Sequence, residues 1–261
     1  MSEENQERVD EVLRHYSPAA KLQLVGAGLF WVNAALSLSI LFLEMLSSLL
    51  QSLIPSVFIT SVLIQFVVSQ LNRFYLIPKA ERMRREQMLS DAFGTPLSHD
   101  KTSLYYNNDY SPSIKRLGAN TMENALFSSE VAAKMLVSKR LLIGLYLVAW
   151  VLVFSSQNIN LDIIIWITQI VFSGEIIVQW LSLEVLRIRQ ERTYEKLHTH
   201  FLHEIGGNSQ RAIATILDSF VAYEAAKSSA SYLLSTRVFN ELNPRLTRKW
   251  EQVRSELKMN L

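Results

Sequence analysis

Cysteine is missing altogether from the 261 residues. Its absence excludes disulfide staples, thiolate metal sites and cysteine nucleophiles, and leaves the redox compartment open. Charge is scarce as well: Asp, Glu, Lys and Arg make up 19% of the chain, against about 25% in an ordinary soluble domain. The 26 Lys and Arg nearly cancel the 24 Asp and Glu, for a net charge of +2. That balance names no polyanionic partner, and no DNA partner is expected. The phosphate loop G-x-x-x-x-G-K-[ST], the nucleophile elbow G-x-S-x-G and the dinucleotide fingerprint G-x-G-x-x-G are all absent, so the chemistry of those motifs is excluded and no enzymatic activity or cofactor is expected. The first 21 residues are polar and acidic rather than a short basic region followed by an apolar one. The first apolar run is therefore expected to stay in the mature protein.

What the chain has in excess is apolar sequence, 49% of all residues, and it is gathered into runs. Residues 24–43 and 45–72 carry no charge, nor do 141–161, and 163–183 contain Glu175 alone. About 20 apolar residues at 1.5 Å each cross a hydrocarbon core of roughly 30 Å. The expected fold class is therefore an all-α membrane protein with four transmembrane helices in two hairpins. All 26 Lys and Arg fall in residues 1–21, 73–140 and 187–261, and none in the turns near 44–56 and 155–162. Because basic residues stay on the cytoplasmic side, both termini are expected in the cytoplasm of a multi-pass bacterial inner-membrane protein, with the two turns facing outward.

This predicts an N-terminal helix over 1–21, a first hairpin over 22–77, a cytoplasmic middle segment over 78–138, a second hairpin over 139–186 and a cytoplasmic helical region over 187–261. Within it, spans one (22–46) and two (53–77) are joined by a turn around Pro55, and Pro78 closes the second span. Residues 91–113, rich in Gly, Pro, Ser, Asn and Asp, read as an ordered loop. Helical character returns over 115–138, and the glycines at 206–207 are expected to stop the long helix that leaves span four. Pro244 is expected to divide two helices in the C-terminal region.

Polar residues inside the spans fall on single helical faces: Asn33, Ser37 and Glu44 in span one, Ser61, Gln65, Ser69 and Asn72 in span two, Thr168, Glu175, Gln179 and Ser182 in span four. A mid-span carboxylate costs about 2.5–3.5 kcal/mol on insertion scales, so Glu175 should not face lipid. Asn33, Gln65, Thr168, Glu175 and Gln179 thus either bond one helix to the next or line a water-filled path in a homo-oligomer. His198, His200, His203 and Glu204 match no zinc-helix pattern, and no metal is expected.

Two cytoplasmic stretches mix aromatic faces, amides and cations. The first holds Tyr105, Tyr106, Asn107, Asn108 and Arg116, which would suit stacking on a base and pairing with a phosphate. It would equally suit a turn packed on its own helices. The second is the basic helix around Arg245, Arg248, Lys249 and Trp250, which would suit docking on the bundle or on anionic lipid.

Four spans in two hairpins, Asp91-x-Phe93-Gly94 followed by Tyr105–Asn108, the Glu123-Asn124-x-x-Phe127 segment and the closing Tyr223 and Leu246-x-x-x-Trp250 together resemble the SMODS-associated four-transmembrane effector family. The resemblance covers most of the chain. It implies an effector of bacterial anti-phage (CBASS) defence that a cyclic oligonucleotide, made by a partner nucleotidyltransferase, drives to oligomerise and breach the bilayer. The reading of the residues alone leaves a constitutive channel, transporter or scaffold open.

Overall fold

The computed structural model describes residues 9–40, 42, 45–100, 102–103, 105–155, 175–203 and 209–259. Among the described residues the chain is all-α apart from one antiparallel pair of two-residue strands, β1 (Val9–Asp10) with β2 (Thr102–Ser103), in the register Val9↔Ser103 and Asp10↔Thr102. A 3-10 helix, Glu11–Tyr16, precedes α1 (Ser17–Ile40); α2 (Ser48–Leu71) continues through a π-helical turn, Asn72–Leu76, into α3 (Ile77–Phe93). Then come α4 (Ile114–Ser155), α5 (Glu175–His203), α6 (Gln210–Ala230) and α7 (Thr236–Glu256). These elements fall into two units, one of residues 1–16, 78–136 and 182–261, the other of residues 17–77 and 137–181.

Two prolines, Pro55 and Pro244, behave differently from the sequence expectation. Pro55 sits inside α2, and the turn before that helix lies at residues 45–47. An apolar helix in hydrocarbon has no water to take over a freed backbone group, so it closes around a proline rather than ending there. Pro78 stands at the boundary between the two units, and the chain continues past it as a helix into α3. The wide turn Asn72–Leu76 just before it takes up the misfit of a residue without an N–H, as π-turns do. Pro244 lies within α7, and the break between α6 and α7 comes earlier, at Ser231, whose φ of 42° is left-handed. The N-terminal segment differs in part: its described residues 9–16 are a two-residue strand and a 3-10 turn, and α-helix begins only at Ser17.

The second unit turns an ordinary globular pattern inside out. Trp31 is 65% exposed and Leu24, Leu63, Phe66, Leu141, Leu145 and Val151 are also exposed, while Asn33, Ser37, Ser61, Gln65 and Asn72 are buried. Among the described residues two runs, Glu11–Ser37 and Ser48–Phe93, are long and apolar enough to cross a membrane, and their apolar windows are only 17% and 11% buried. A core helix of a water-soluble domain would bury its apolar face instead.

The first unit has a conventional core. Met88 and Ala92 of α3, Leu117, Met122 and Leu126 of α4, Leu197 of α5, Ile216 and Phe220 of α6 and Leu246 and Trp250 of α7 form one buried cluster. Serine caps set the last two helices: Ser209 Oγ accepts from the Ala212 N–H at 3.1 Å and Ser235 Oγ from Val238 at 3.3 Å, each satisfying a donor with no intrahelical partner.

Candidate functional site

Asp91, Gly94, Tyr105–Asn108, Glu123 and Trp250 lie far apart in sequence and meet in the first unit, around the connection from α3 to α4. Gly94 ends α3 with φ +63°, which favours glycine, and a Cβ there would stand 3.0 Å from Pro112 Cγ, so the space beside it is tight. One turn earlier, the Asp91 carboxylate accepts from Arg116 Nε at 3.0 Å, Arg116 Nη2 at 2.7 Å and Asn120 Nδ2 at 2.8 Å. Arg116 Nη1 donates to the Tyr110 carbonyl at 3.0 Å. The guanidinium is thus held from two sides by its own fold.

The neighbouring amides are engaged in the same way. Asn107 donates its backbone N–H to Glu123 at 3.1 Å and its side-chain amide to the other Glu123 oxygen, and its carbonyl accepts from Trp250 Nε1 at 2.9 Å. Asn108 Nδ2 donates to Asn120 Oδ1 at 2.7 Å. The Tyr106 ring packs against the core cluster and edge-on to Tyr105, with centroids 4.8 Å apart; burial raises the Tyr106 hydroxyl's pKa well above its ordinary value. Tyr105, Tyr106, Asn107, Asn108 and Arg116 are therefore brought together, with Arg116 taken up by Asp91 and the Tyr110 carbonyl and Asn107 by Glu123 and Trp250, while Asn108 Oδ1 is buried without a hydrogen-bond partner among the described residues. Of the two readings open to the sequence, this geometry favours the packed turn.

A second layer of charge, which the sequence reading missed, lies next to Tyr105. The Arg84 guanidinium donates twice to Asp10, at 2.8 and 3.0 Å, and sits 4.5 Å from the Tyr105 ring centroid and 5.8 Å from that of Tyr16. Burial acts to lower the Arg84 pKa, but Tyr105 and the bonded Asp10 outweigh it and hold it above the ordinary value. Close by, Lys227 Nζ pairs with Glu81, lies 3.1 Å from Glu224 and stands 4.9 Å over the Tyr223 ring. Its pKa is also raised, Glu81, Tyr223 and Glu224 prevailing over burial. Glu224, 4.0 Å from Arg85, has its pKa raised by burial against the pull of Lys227. The sequence signal that could have found this layer is slight: Tyr223, Glu224 and Lys227 recur at three and four residues, hence on one helical face.

In the second unit Asn33 Nδ2 donates to Gln65 Oε1 at 2.5 Å between α1 and α2, and Asn72 Nδ2 donates to the Ala19 carbonyl at 3.2 Å. Lys139 Nζ of α4 donates to Gln179 Oε1 of α5 at 3.0 Å. These are interhelical bonds of the kind that fix helix pairs in a bilayer. Thr168 and Glu44 lie outside the described residues; Glu175 is the first described residue of α5, and its side chain lies outside the description. On α5, His198 stacks beside Tyr194 at 5.7 Å and His200 beside Phe201 at 5.5 Å, and no group of three metal-binding side chains occurs among the described residues. Comparison of the chain with protein-family models, with curated proteins and with solved structures finds no match.

Proposed function

We propose that the protein is a four-span inner-membrane effector with both termini in the cytoplasm. In this reading the first unit holds the membrane unit quiet until a nucleotide signal of phage infection drives oligomerisation and permeabilisation. One observation supports the membrane half above all: in the second unit Asn33 and Gln65 turn inward on each other while Trp31, Leu63 and Phe66 face out. That arrangement is favourable in hydrocarbon and unfavourable in water. The signalling half rests on the family resemblance of Asp91, Gly94, Tyr105–Asn108, Glu123 and Trp250. A constitutive channel or a scaffold for a protein partner is the competing reading, and the engagement of every Arg116 arm by Asp91 and Tyr110 favours it.

Purified protein in dye-loaded vesicles distinguishes the two. Under the effector reading, leakage is low alone and rises when one of a panel of cyclic di- and trinucleotides is added. Leakage of the same size without nucleotide supports the constitutive channel, and no leakage under any condition refutes permeabilisation. Topology is tested in intact cells with an impermeant thiol reagent. Cysteine placed at Ser48 should react and cysteine at Ser98 should not; the reverse pattern refutes the orientation.

A further inference from the structure

Residues 9–16 form a strap on the first unit. Val9 and Asp10 pair with Ser103 and Thr102, Val12 is fully buried, and the Asp10 carboxylate takes both arms of the Arg84 guanidinium. Arg14 pairs with Asp100, whose second oxygen meets His15 Nε2 at 2.7 Å. The strap thus clips to α3 through Arg84 and to the stretch that runs into Tyr105–Asn108 through Asp100 and β2. Tyr16, its last residue, is followed directly by Ser17, the first residue of α1.

The means of attachment sets this segment apart from the helices around it. Its ladder is two residues per strand, and its described hold includes the Asp10–Arg84 pair, the contacts of Arg14 and His15 with Asp100, the buried Val12 and the Tyr16 ring beside Arg84. Segments with short ladders and few apolar contacts open locally at lower free energy than the core they rest on. Arg84 also sits 4.5 Å over the Tyr105 ring, a cation–π contact that does not depend on Asp10.

We propose that the strap is a releasable latch: closed, it holds the protein quiet, and its release from Arg84 and Asp100 frees the chain leading into α1 and switches membrane activity on. The consequence for activity rests on the effector reading above, whereas the opening itself does not.

The chain's lack of cysteine gives a clean background for the test. In the full chain in lipid nanodiscs, a Val12→Cys reporter should react slowly with a maleimide. Adding Asp10→Asn, which keeps shape but removes the charge-assisted pair, should speed that reaction about tenfold to a hundredfold. A Leu246→Cys reporter in α7 should be unaffected. Equal labelling of Val12→Cys with and without Asp10→Asn overturns the latch, and so does a parallel rise at Leu246→Cys, which would mean that the whole unit opens. For the activity arm, a Val9→Cys/Ser103→Cys disulfide across the β1–β2 pair should keep vesicle leakage low until dithiothreitol restores it, and Asp10→Asn should leak without any nucleotide. Selective Val12→Cys labelling with no leakage from any form refutes the effector reading and leaves the opening established. Leakage that ignores the disulfide overturns the latch as a switch.

Discussion

Replacing Lys227 by Met tests whether the buried charges of the first unit form one compensated group. The exchange keeps the length of the side chain and removes the ammonium that pairs with Glu81 and lies 3.1 Å from Glu224, where the three side chains are only 12%, 18% and 11% exposed. Two carboxylates are left facing each other, with Arg85, 44% exposed and 4.0 Å from Glu224, as a weak substitute. Removing one member of a buried pair costs about 3–5 kcal/mol. At about 1.4 kcal/mol per tenfold, that is a rise of roughly a hundredfold to several thousandfold in the opening equilibrium. Protonation offers the stranded carboxylates a way out, since burial already raises the Glu224 pKa and the loss of Lys227 removes the main opposing pull. An acid with a higher pKa in the folded than in the unfolded state costs stability as pH rises above the unfolded value, about 4.3 for Glu, so the penalty should be largest near neutral pH and above and shrink toward about pH 5. Hydrogen exchange of the α6 amides in the full chain, followed at both pH values, reads the effect. Adding Glu81→Gln and Glu224→Gln to Lys227→Met should recover most of the loss, because it leaves no uncompensated charge. A loss below about 1 kcal/mol, or one that is the same at both pH values, would refute a shared buried charge.

Gly94→Ala should destabilise the α3–α4 connection by about 1–2 kcal/mol, from the left-handed backbone alone, with more from the Pro112 contact, and Gly94→Asn by less; hydrogen exchange at the start of α4 reads both, and equal costs would refute the role of the backbone angle. A double-mutant cycle of Asn33→Leu and Gln65→Leu, measured by unfolding in mixed micelles, should give a coupling of about 0.6–1.7 kcal/mol, and zero coupling would mean that the bond contributes nothing. Burial raises the pKa values of Tyr16, Tyr106 and Tyr223. A raised folded pKa means that stability falls once pH passes the unfolded value of about 10, so these phenols should ionise only together with unfolding of the first unit. Phenolate absorbance rising well ahead of the loss of protection there would contradict their burial.

The helical character was legible because long apolar runs leave the backbone few alternatives: with no water to satisfy it, it must bond to itself. The inward turn of Asn33 and Gln65 was legible from their four- and seven-residue spacing as a shared face, though which partner each takes was not. Prolines misled at positions 55 and 244, because the helix-breaking rule measures a cost in isolation, and packing can outweigh a cost of about 3 kcal/mol. The motif Asp91, Tyr105–Asn108, Glu123 and Trp250 stood out as residue types suited to a ligand, but composition does not reveal where their hydrogen bonds go. Arg84 and Lys227 went unnoticed for the same reason: in a sequence rich in Lys and Arg a paired buried cation reads like a solvated one, and its partners Asp10 and Glu81 come from distant parts of the chain.

The bond between Asn33 and Gln65 also sets the alignment of α1 against α2. On α2, Ser61 and Ser69 stand four residues to either side of Gln65. A slip of one turn would bring one of these hydroxyls opposite Asn33 and exchange an amide partner for a shorter hydroxyl one. The difference between alignments is then of the order of 1 kcal/mol, the range of a single polar contact in a bilayer. A stripe of polar residues at even four-residue steps thus behaves as a ratchet with one preferred notch. A slip that sets Ser69 opposite Asn33 also sets Ser37 opposite Gln65, whereas a slip the other way, about 5.4 Å along the axis, leaves the Gln65 amide facing Leu29, and either one breaks the Asn72 bond to Ala19.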